Sequence, residues 1–325
     1  MNRPFSAILL TSVAALALAS CNKKVENADT PTSGTEVICC DESFQRIMEQ
    51  EIDVFEYNNP KAFILARYLP EADCIDSIVY GKVRMAVTTK ELTEEQLNYM
   101  KTKKRTPTSN RIAVDAIAVI ANPENPIENL TIPELRDILS GDVTDWGKIQ
   151  PFNKTGEIAV VFDDANSSTV SAIKDMVMDG RKFGSGVYAQ GSNEKVFETV
   201  SKMPRAIGII GVSWISSDLK TANLTMEERT TRLEQNDTTE TTFSSDVKVL
   251  AVAPPDRLNG VKPYQAYIYD GSYPLVRSVY LTTVGSSGSR ARGFTNFVIG
   301  FAGQKLIQQT GILPGAMHPR IVQIE

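Results

Sequence analysis

Short apolar runs alternate along this chain with segments whose apolar residues recur every three or four positions. Val37–Cys40, Ile52–Tyr57, Val83–Thr88, Ile158–Phe162, Ile207–Val212, Val247–Val252 and Ser278–Val284 read as strands. Ile112–Ile120 is almost continuously apolar, which predicts a strand covered on both faces. Helices lie between them. Asp41-Glu42-Ser43-Phe44 opens one that runs to about Glu51. Thr131-Ile132-Pro133-Glu134 is a capping box; Ile132, Leu135, Ile138 and Leu139 then share a face, and Gly141 ends the helix. Ser168–Asp179 carries Val170, Ile173 and Val177 on one side, and Glu194–Met203 carries Val196, Phe197, Val200 and Met203 before Pro204 stops it. Such alternation predicts the α/β class with mainly parallel sheets. Residues 216–246 break the pattern. Thr, Glu, Ser and Asp dominate there, which predicts a polar surface excursion that can be trimmed at small cost.

The ends change the picture. Arg3 precedes an apolar run, Ala7–Ala19, that is too short to span a bilayer and has the length of a signal-peptide core. Leu18-Ala19-Ser20-Cys21 follows and is identified as a lipobox, so residues 1–20 read as a lipoprotein signal peptide and Cys21 as the lipidation site. Residues 21–35 are polar, carry Pro31 and Gly34, and read as a flexible tether. A lipid foot and a leash predict a body working beside a bacterial membrane in the extracytoplasmic space, facing the periplasm in a Gram-negative envelope. Multiple acylation at Cys21 would make the anchor stable.

Roughly 290 residues remain after the tether, enough for two domains. The formal net charge is −5, and removing residues 1–20 takes away only Arg3, leaving −6. A mildly acidic body argues against nucleic acid as a partner. It does not exclude a small anion, which local dipoles can hold. Cys39 and Cys40 are neighbours and pair poorly with each other, so one bridge at most is open, from Cys74 to either; buried thiols are the other reading. The single histidine, His318, rules out a two-histidine metal site and leaves little scope for a His-based triad. Asp163-Asp164 reads as solvated acids or as helix-dipole partners. No phosphate-cradling glycine loop is present. The chain therefore carries no sign of an enzyme, a metal site or a cofactor.

The stronger chemical signal is a repeated device, a strand followed by a helix start rich in hydroxyls. Cys39-Cys40-Asp41-Glu42-Ser43-Phe44 is one case, and Phe162-Asp163-Asp164-Ala165-Asn166-Ser167-Ser168-Thr169 is another. Free helix N–H groups and hydroxyls at such a start suit an anion, although capping uses the same residue types. Asn166-Ser167-Ser168-Thr169 exceeds what a cap needs.

These residues resemble the Ser-Gly-Thr helix-start loop of the phosphate-binding subunits of ABC importers. Four further segments match that family in order. Ile132–Gly141 with Thr144-Asp145-Trp146 resembles its helix, Gly, Thr-x-Trp segment, and Val83–Thr93 its strand with Ser-Arg. Asn193-Glu194-Lys195-Val196 with Ile207-Gly208-Ile209 resembles its Asn-x-x-Val, Ile-Gly-Tyr segment, and Tyr273-Pro274 its return strand. The resemblance implies a class II periplasmic-binding-protein fold, with two α/β lobes, a two-crossing hinge and a ligand cleft. The lobes fall at 36–120 plus 273–325 and at 121–272. It further implies a monomer that captures a small oxyanion, phosphate first, and delivers it to an ABC permease. The cleft is expected to be lined by Ser43, Phe44, Thr89, Lys90, Asn166, Ser167, Ser168, Thr169 and Asn193. Departures from the pattern stand beside this. Asp163 occupies the family's Arg position, Ser168 its loop Gly, Thr89 falls near its discriminating Asp, and Lys90 replaces the Arg of Ser-Arg. They open a second reading, a binding-protein fold repurposed as a sensory or interaction lipoprotein.

Overall fold

The structure, a computed structural model, describes residues 29–216, 225–234 and 242–316. The signal peptide, Cys21 and His318 lie outside the described residues. In chain order, β1 (Ser33–Asp41) passes through a 3-10 turn, Glu42–Phe44, into α1 (Gln45–Asn58). Next come β2 (Lys61–Leu69), α2 (Glu71–Val79), β3 (Met85–Thr88), α3 (Glu94–Thr102) and the long β4 (Pro107–Ala121). They are followed by β5 (Asn129–Thr131), α4 (Ile132–Ser140), α5 (Trp146–Ile149), β6 (Ala159–Phe162) and α6 (Ser168–Ile173). Then come β7 (Val187–Ala189), α7 (Asn193–Lys202), β8 (Ala206–Gly211) and α8 (Met226–Glu234). The chain closes with β9 (Lys248–Val249), β10 (Ala251–Ala253), α9 (Gln265–Tyr269), β11 (Val276–Val284), α10 (Arg290–Ile299), α11 (Phe301–Gln309) and β12 (Leu313–Pro314).

Eight strands make a continuous path, β2-β1-β3-β11-β4-β8-β6-β7, with β9 and β12 pairing onto β4. The outer pairings β1–β2, β1–β3, β6–β7 and β6–β8 are parallel. The central ones are not: β11 runs antiparallel to both β3 and β4, and β4 antiparallel to β8. The sheet is thus mixed, where strand–helix alternation predicted a mainly parallel one. The return strand β11, coming from far along the chain, could not be oriented by local pattern. β4 joins the two halves. Its residues up to Ala116 pair with β11, and Ile117–Ala121 pair with β8. Ala116 to Ala121 are all fully buried, as a strand covered on both faces requires.

Three further sequence readings change. Ile52–Tyr57 is not a strand but the second half of α1. Its short alternation is also compatible with the helical set Ile47, Met48, Ile52, Val54 and Phe55, all buried, and Phe55 packs edge-on to Phe294 at 5.2 Å. The actual strand is β2, whose Ala62 and Ile64 face inward while Phe63 and Leu65 stay exposed. Residues 29–35, read above as part of the tether, join the fold. Ser33, Gly34 and Thr35 pair with Lys61, Ala62 and Phe63, and Asp29 is ion-paired with Arg84 at 2.6 Å. Finally, α8, within the stretch read as a polar excursion, packs. Thr225 and Glu228 form a capping box that starts α8, Met226 sits against Val54 and Leu306, and Arg229 reaches Asp53 at 3.4 Å.

Candidate functional site

The carboxyl ends of β1 and β6 meet across the centre of the sheet. β1 ends at Asp41, whose Oδ1 accepts the Ser43 N–H at 2.8 Å and so turns the chain into the 3-10 turn. This buries Ser43 and Phe44. The Trp214 indole N–H donates to the Ser43 carbonyl at 2.8 Å, and the Arg46 guanidinium lies over the Trp214 ring at 4.5 Å. From the other side, Ser167 caps α6 by accepting the Val170 N–H at 3.1 Å. The cap leaves Ser168 and Thr169, both fully buried, to face Ser43. The Ser43 Oγ is 3.2 Å from Ser168 Oγ and 3.3 Å from Thr169 Oγ1.

Arg277 completes the cluster. It rises from β11 and is only 6% exposed. Its Nη1 donates to Ser168 Oγ at 2.8 Å and lies 3.5 Å from Thr169 Oγ1, and its carbon centre is 5.1 Å above the Phe44 ring. Its Nε donates to Asp115 Oδ2 at 2.9 Å. Nη2 is also 2.9 Å from that oxygen but off the hydrogen-bond axis. Nη2 and Asp115 Oδ1 are therefore buried without a hydrogen-bond partner. A buried donor and acceptor of this kind carry a large desolvation cost unless something meets them.

Three buried carboxylates surround this one guanidinium. Burial pushes the Asp41 acid up to about 6, against the pull of Arg277 and nearby hydrogen bonds. Burial likewise raises Asp115, opposed by Arg277, and Asp163, opposed first by its bond to Ser167. Asp163 is thus not a solvated acid as its place in a polar turn suggested. It accepts the Ser167 hydroxyl at 2.6 Å and the Asn193 amide at 3.2 Å. Its carboxylate therefore orients Ser167 and Asn193.

Of the residues expected at the cleft, Ser43, Phe44, Ser167, Ser168, Thr169 and Asn193 come together. The other three do not. Thr89 turns to Glu71, whose Oε1 accepts both its N–H, at 2.5 Å, and its hydroxyl, at 2.6 Å. Lys90 spans the rim, donating to Ser171 Oγ at 2.8 Å with Asp175 at 3.7 Å, and half its side chain is exposed. Asn166 is exposed, with its N–H spent on Asp164 Oδ1. Asp41, Asp115 and Arg277 were missed. The signal for the last two was available, since an Asp in the apolar run Ile112–Ile120 and an Arg beside Val276 need a buried partner each. Among the described residues no group of His, Cys, Asp or Glu is placed to hold a metal ion, and no helix is long and apolar enough to cross a membrane.

Comparison with known proteins follows the same lines. A family model described as the PBP superfamily domain matches residues 25–300. The phosphate-binding protein PstS of Borreliella burgdorferi is 22% identical over 244 residues, which is 72% of this chain and 74% of that protein. The phosphate-binding protein PstS of Pseudomonas aeruginosa is 23% identical over 220 residues, covering 64% of this chain and 60% of its own length. Among solved structures, a putative phosphate ABC transporter substrate-binding protein with bound phosphate from Clostridium perfringens gives a TM-score of 0.68 at 19% identity, covering 86% of this chain and 99% of that one. An ABC-type phosphate transport receptor from Vibrio cholerae gives 0.60 at 18% identity, over 86% and 100%. At such identities the superpositions establish a shared fold.

Proposed function

The chain belongs to the PBP superfamily domain family, and on that premise we propose that it is an extracytoplasmic solute-binding lipoprotein that captures phosphate for an ABC permease. The observation that carries the reading is Arg277. A buried guanidinium with an unspent Nη2 donor stands beside the hydroxyls of Ser43, Ser168 and Thr169. That is a donor set for a tetrahedral oxyanion, and each hydrogen bond to a charged group contributes about 1.5–3 kcal/mol. Arg277 supplies the positive charge absent at position 163. The unpartnered Asp115 Oδ1 would take a proton-bearing oxygen of the same ligand. The relatives' names, phosphate-binding proteins, support the ligand.

Two lobes, 36–120 plus 273–325 and 121–272, would close on it. The change of partner along β4 between Ala116 and Ile117 supports a hinge there. Cys21 would carry the lipid, and its replacement by Ala should move the protein out of the membrane fraction. The repurposed-fold reading retains one specific support, the excess of buried carboxylates, Asp41, Asp115 and Asp163, over Arg277. Calorimetric titration with phosphate, sulfate and molybdate separates the two. Saturable heat with one equivalent of phosphate is the expected result. No heat from any of the three at millimolar concentration ends the transport reading in favour of a sensory or interaction role.

A further inference from the structure

Cys39, Cys40 and Cys74 are buried free thiols, and strand geometry sorts them. Successive residues of β1 face opposite sides of the sheet. Cys40, like Ile38, enters the main core with Met48 and Phe55 of α1. Cys39 faces the other side and joins Cys74, Ile78, Val79, Val83, Ala86 and Met100 in a second, separate core under α2. On α2, Cys74 and Ser77 are one turn apart on the buried face. Cys39 and Cys74 pack in the same small core, and the Cys74 thiol donates to the Leu69 carbonyl at 3.7 Å. Two thiols that share one small core, on a strand and on the helix packed against it, are separated from the third by the thickness of the sheet.

We propose that Cys39 and Cys74 form an oxidation site that closes to a disulfide as the exported chain folds, with Cys40 excluded. The oxidant is a disulfide-carrying exchange partner of the extracytoplasmic space. The Cys39 thiolate attacks the partner's disulfide, that S–S bond breaks, and one partner sulfur leaves as a thiolate. Cys74 then gives its proton to solvent, attacks the Cys39 sulfur of the mixed disulfide and releases the second partner thiolate. The chain loses two protons and two electrons, and the partner disulfide becomes a dithiol. Its neighbours Cys74 and Ser77, with the positive charges of Arg67 and Lys82, hold the Cys39 thiol below its ordinary value, which favours it as the attacking sulfur.

The bridge would tie β1 to α2 and close the loop through α1 and β2. The first residue of α2 is Glu71, which holds the N–H and hydroxyl of Thr89 at the rim of the polar cluster. Oxidation would therefore fix the Glu71–Thr89 contact as well as stabilise the fold by constraining the unfolded chain.

The test is a thiol map and needs no ligand. Purified protein is reduced in denaturant, refolded in mixed oxidised and reduced glutathione, then acid-quenched, denatured, alkylated and digested. The expected product is lighter by two hydrogens before alkylation, with the Cys39 and Cys74 peptides joined and Cys40 alkylated. Free alkylation of all three thiols, or a bridge through Cys40, overturns the proposal. Cys40→Ala should keep the bridge and a melting temperature that falls by several degrees on adding reductant. Cys74→Ala should lose both the bridge and the reductant sensitivity. Because truncation of Cys74 also opens a cavity, the wild-type map and its response to reductant decide the matter without that variant. The same map on protein collected from its envelope without reductant should show the bridge, and free Cys39 and Cys74 there would overturn oxidation on export.

Discussion

Arg277 and Asp115 form the pair on which the polar cluster depends. Both are buried and share two short N···O contacts. Removing one partner of such a pair leaves the other charge uncompensated, at a cost of about 3–5 kcal/mol. Arg277→Met should therefore destabilise the protein by that order in urea unfolding and abolish phosphate heat in calorimetry. Adding Asp115→Asn should recover much of the stability and none of the binding, which separates folding from function. Asp41 gives a pH prediction. Its folded acid is raised to about 6 from the usual 3.8, because burial disfavours the charged form. The stability that the protonated form contributes is fully present below the unfolded value and is lost as pH rises through about 6. An asparagine in its place would keep the acceptor for the Ser43 N–H and carry no charge. Asp41→Asn should thus change little near pH 4 and stabilise by roughly 2–3 kcal/mol above pH 7, as about 1.4 kcal/mol per pKa unit implies. A constant difference between the two proteins across that range would contradict the burial argument.

At the scale of elements, α8 is the clearest departure from what composition suggested. Few apolar residues lie in 216–246, yet one of them, Met226, meets Val54 and Leu306, and α8 packs on both α1 and α11. Replacing residues 217–241 by a short linker should cost about 1–2 kcal/mol, most of it the partial burial of Met226 and its partners. Met226→Ala in the full-length chain should give most of that loss. The Arg229–Asp53 pair should add little, since Asp53 is more than half exposed. Equal melting temperatures for the trimmed and intact proteins would show that α8 is only resting on its neighbours. The element α1 teaches a related lesson. Six residues of alternating polarity, Ile52–Tyr57, suited a strand, but the same residues continue the buried face begun by Ile47 and Met48. A window longer than the alternation was needed to decide the period.

Across the whole molecule, contacts between the two halves of the sheet cluster at one end of the strands. Ser43 meets Ser168 and Thr169, Arg277 meets Ser168, and Lys90 meets Ser171. The halves are joined through β4, with the Tyr273 hydroxyl donating to the Ile117 carbonyl at 2.7 Å beside the change of partner. If the halves are lobes that close on a ligand, solution scattering should show a smaller radius of gyration with phosphate than without it. Arg277→Met should show no such change. Identical scattering curves for the wild type in both conditions, together with tight binding by calorimetry, would place phosphate in a cleft that does not move.

Much of this protein was legible one segment at a time, where a local rule decides. The capping box at Thr131, the doubly covered run Ile112–Ile120 and the hydroxyl-rich start at Ser167–Thr169 all depend on residues within a turn or a strand of one another. Ser43, Ser167 and Ser168 lie where such starts put them, because a helix cap and an anion site call for the same side chains at the same place. What the sequence could not decide was which distant segments face each other. Arg277 meets Ser168 only because β11 returns antiparallel between β3 and β4, and Cys39 meets Cys74 while Cys40 does not because α2 covers one face of β1. The same long-range packing spends the Thr89 hydroxyl on Glu71, which offers it a carboxylate at hydrogen-bond distance. Pairing across the sheet is chosen by total burial over the whole chain, and no window of residues contains that sum.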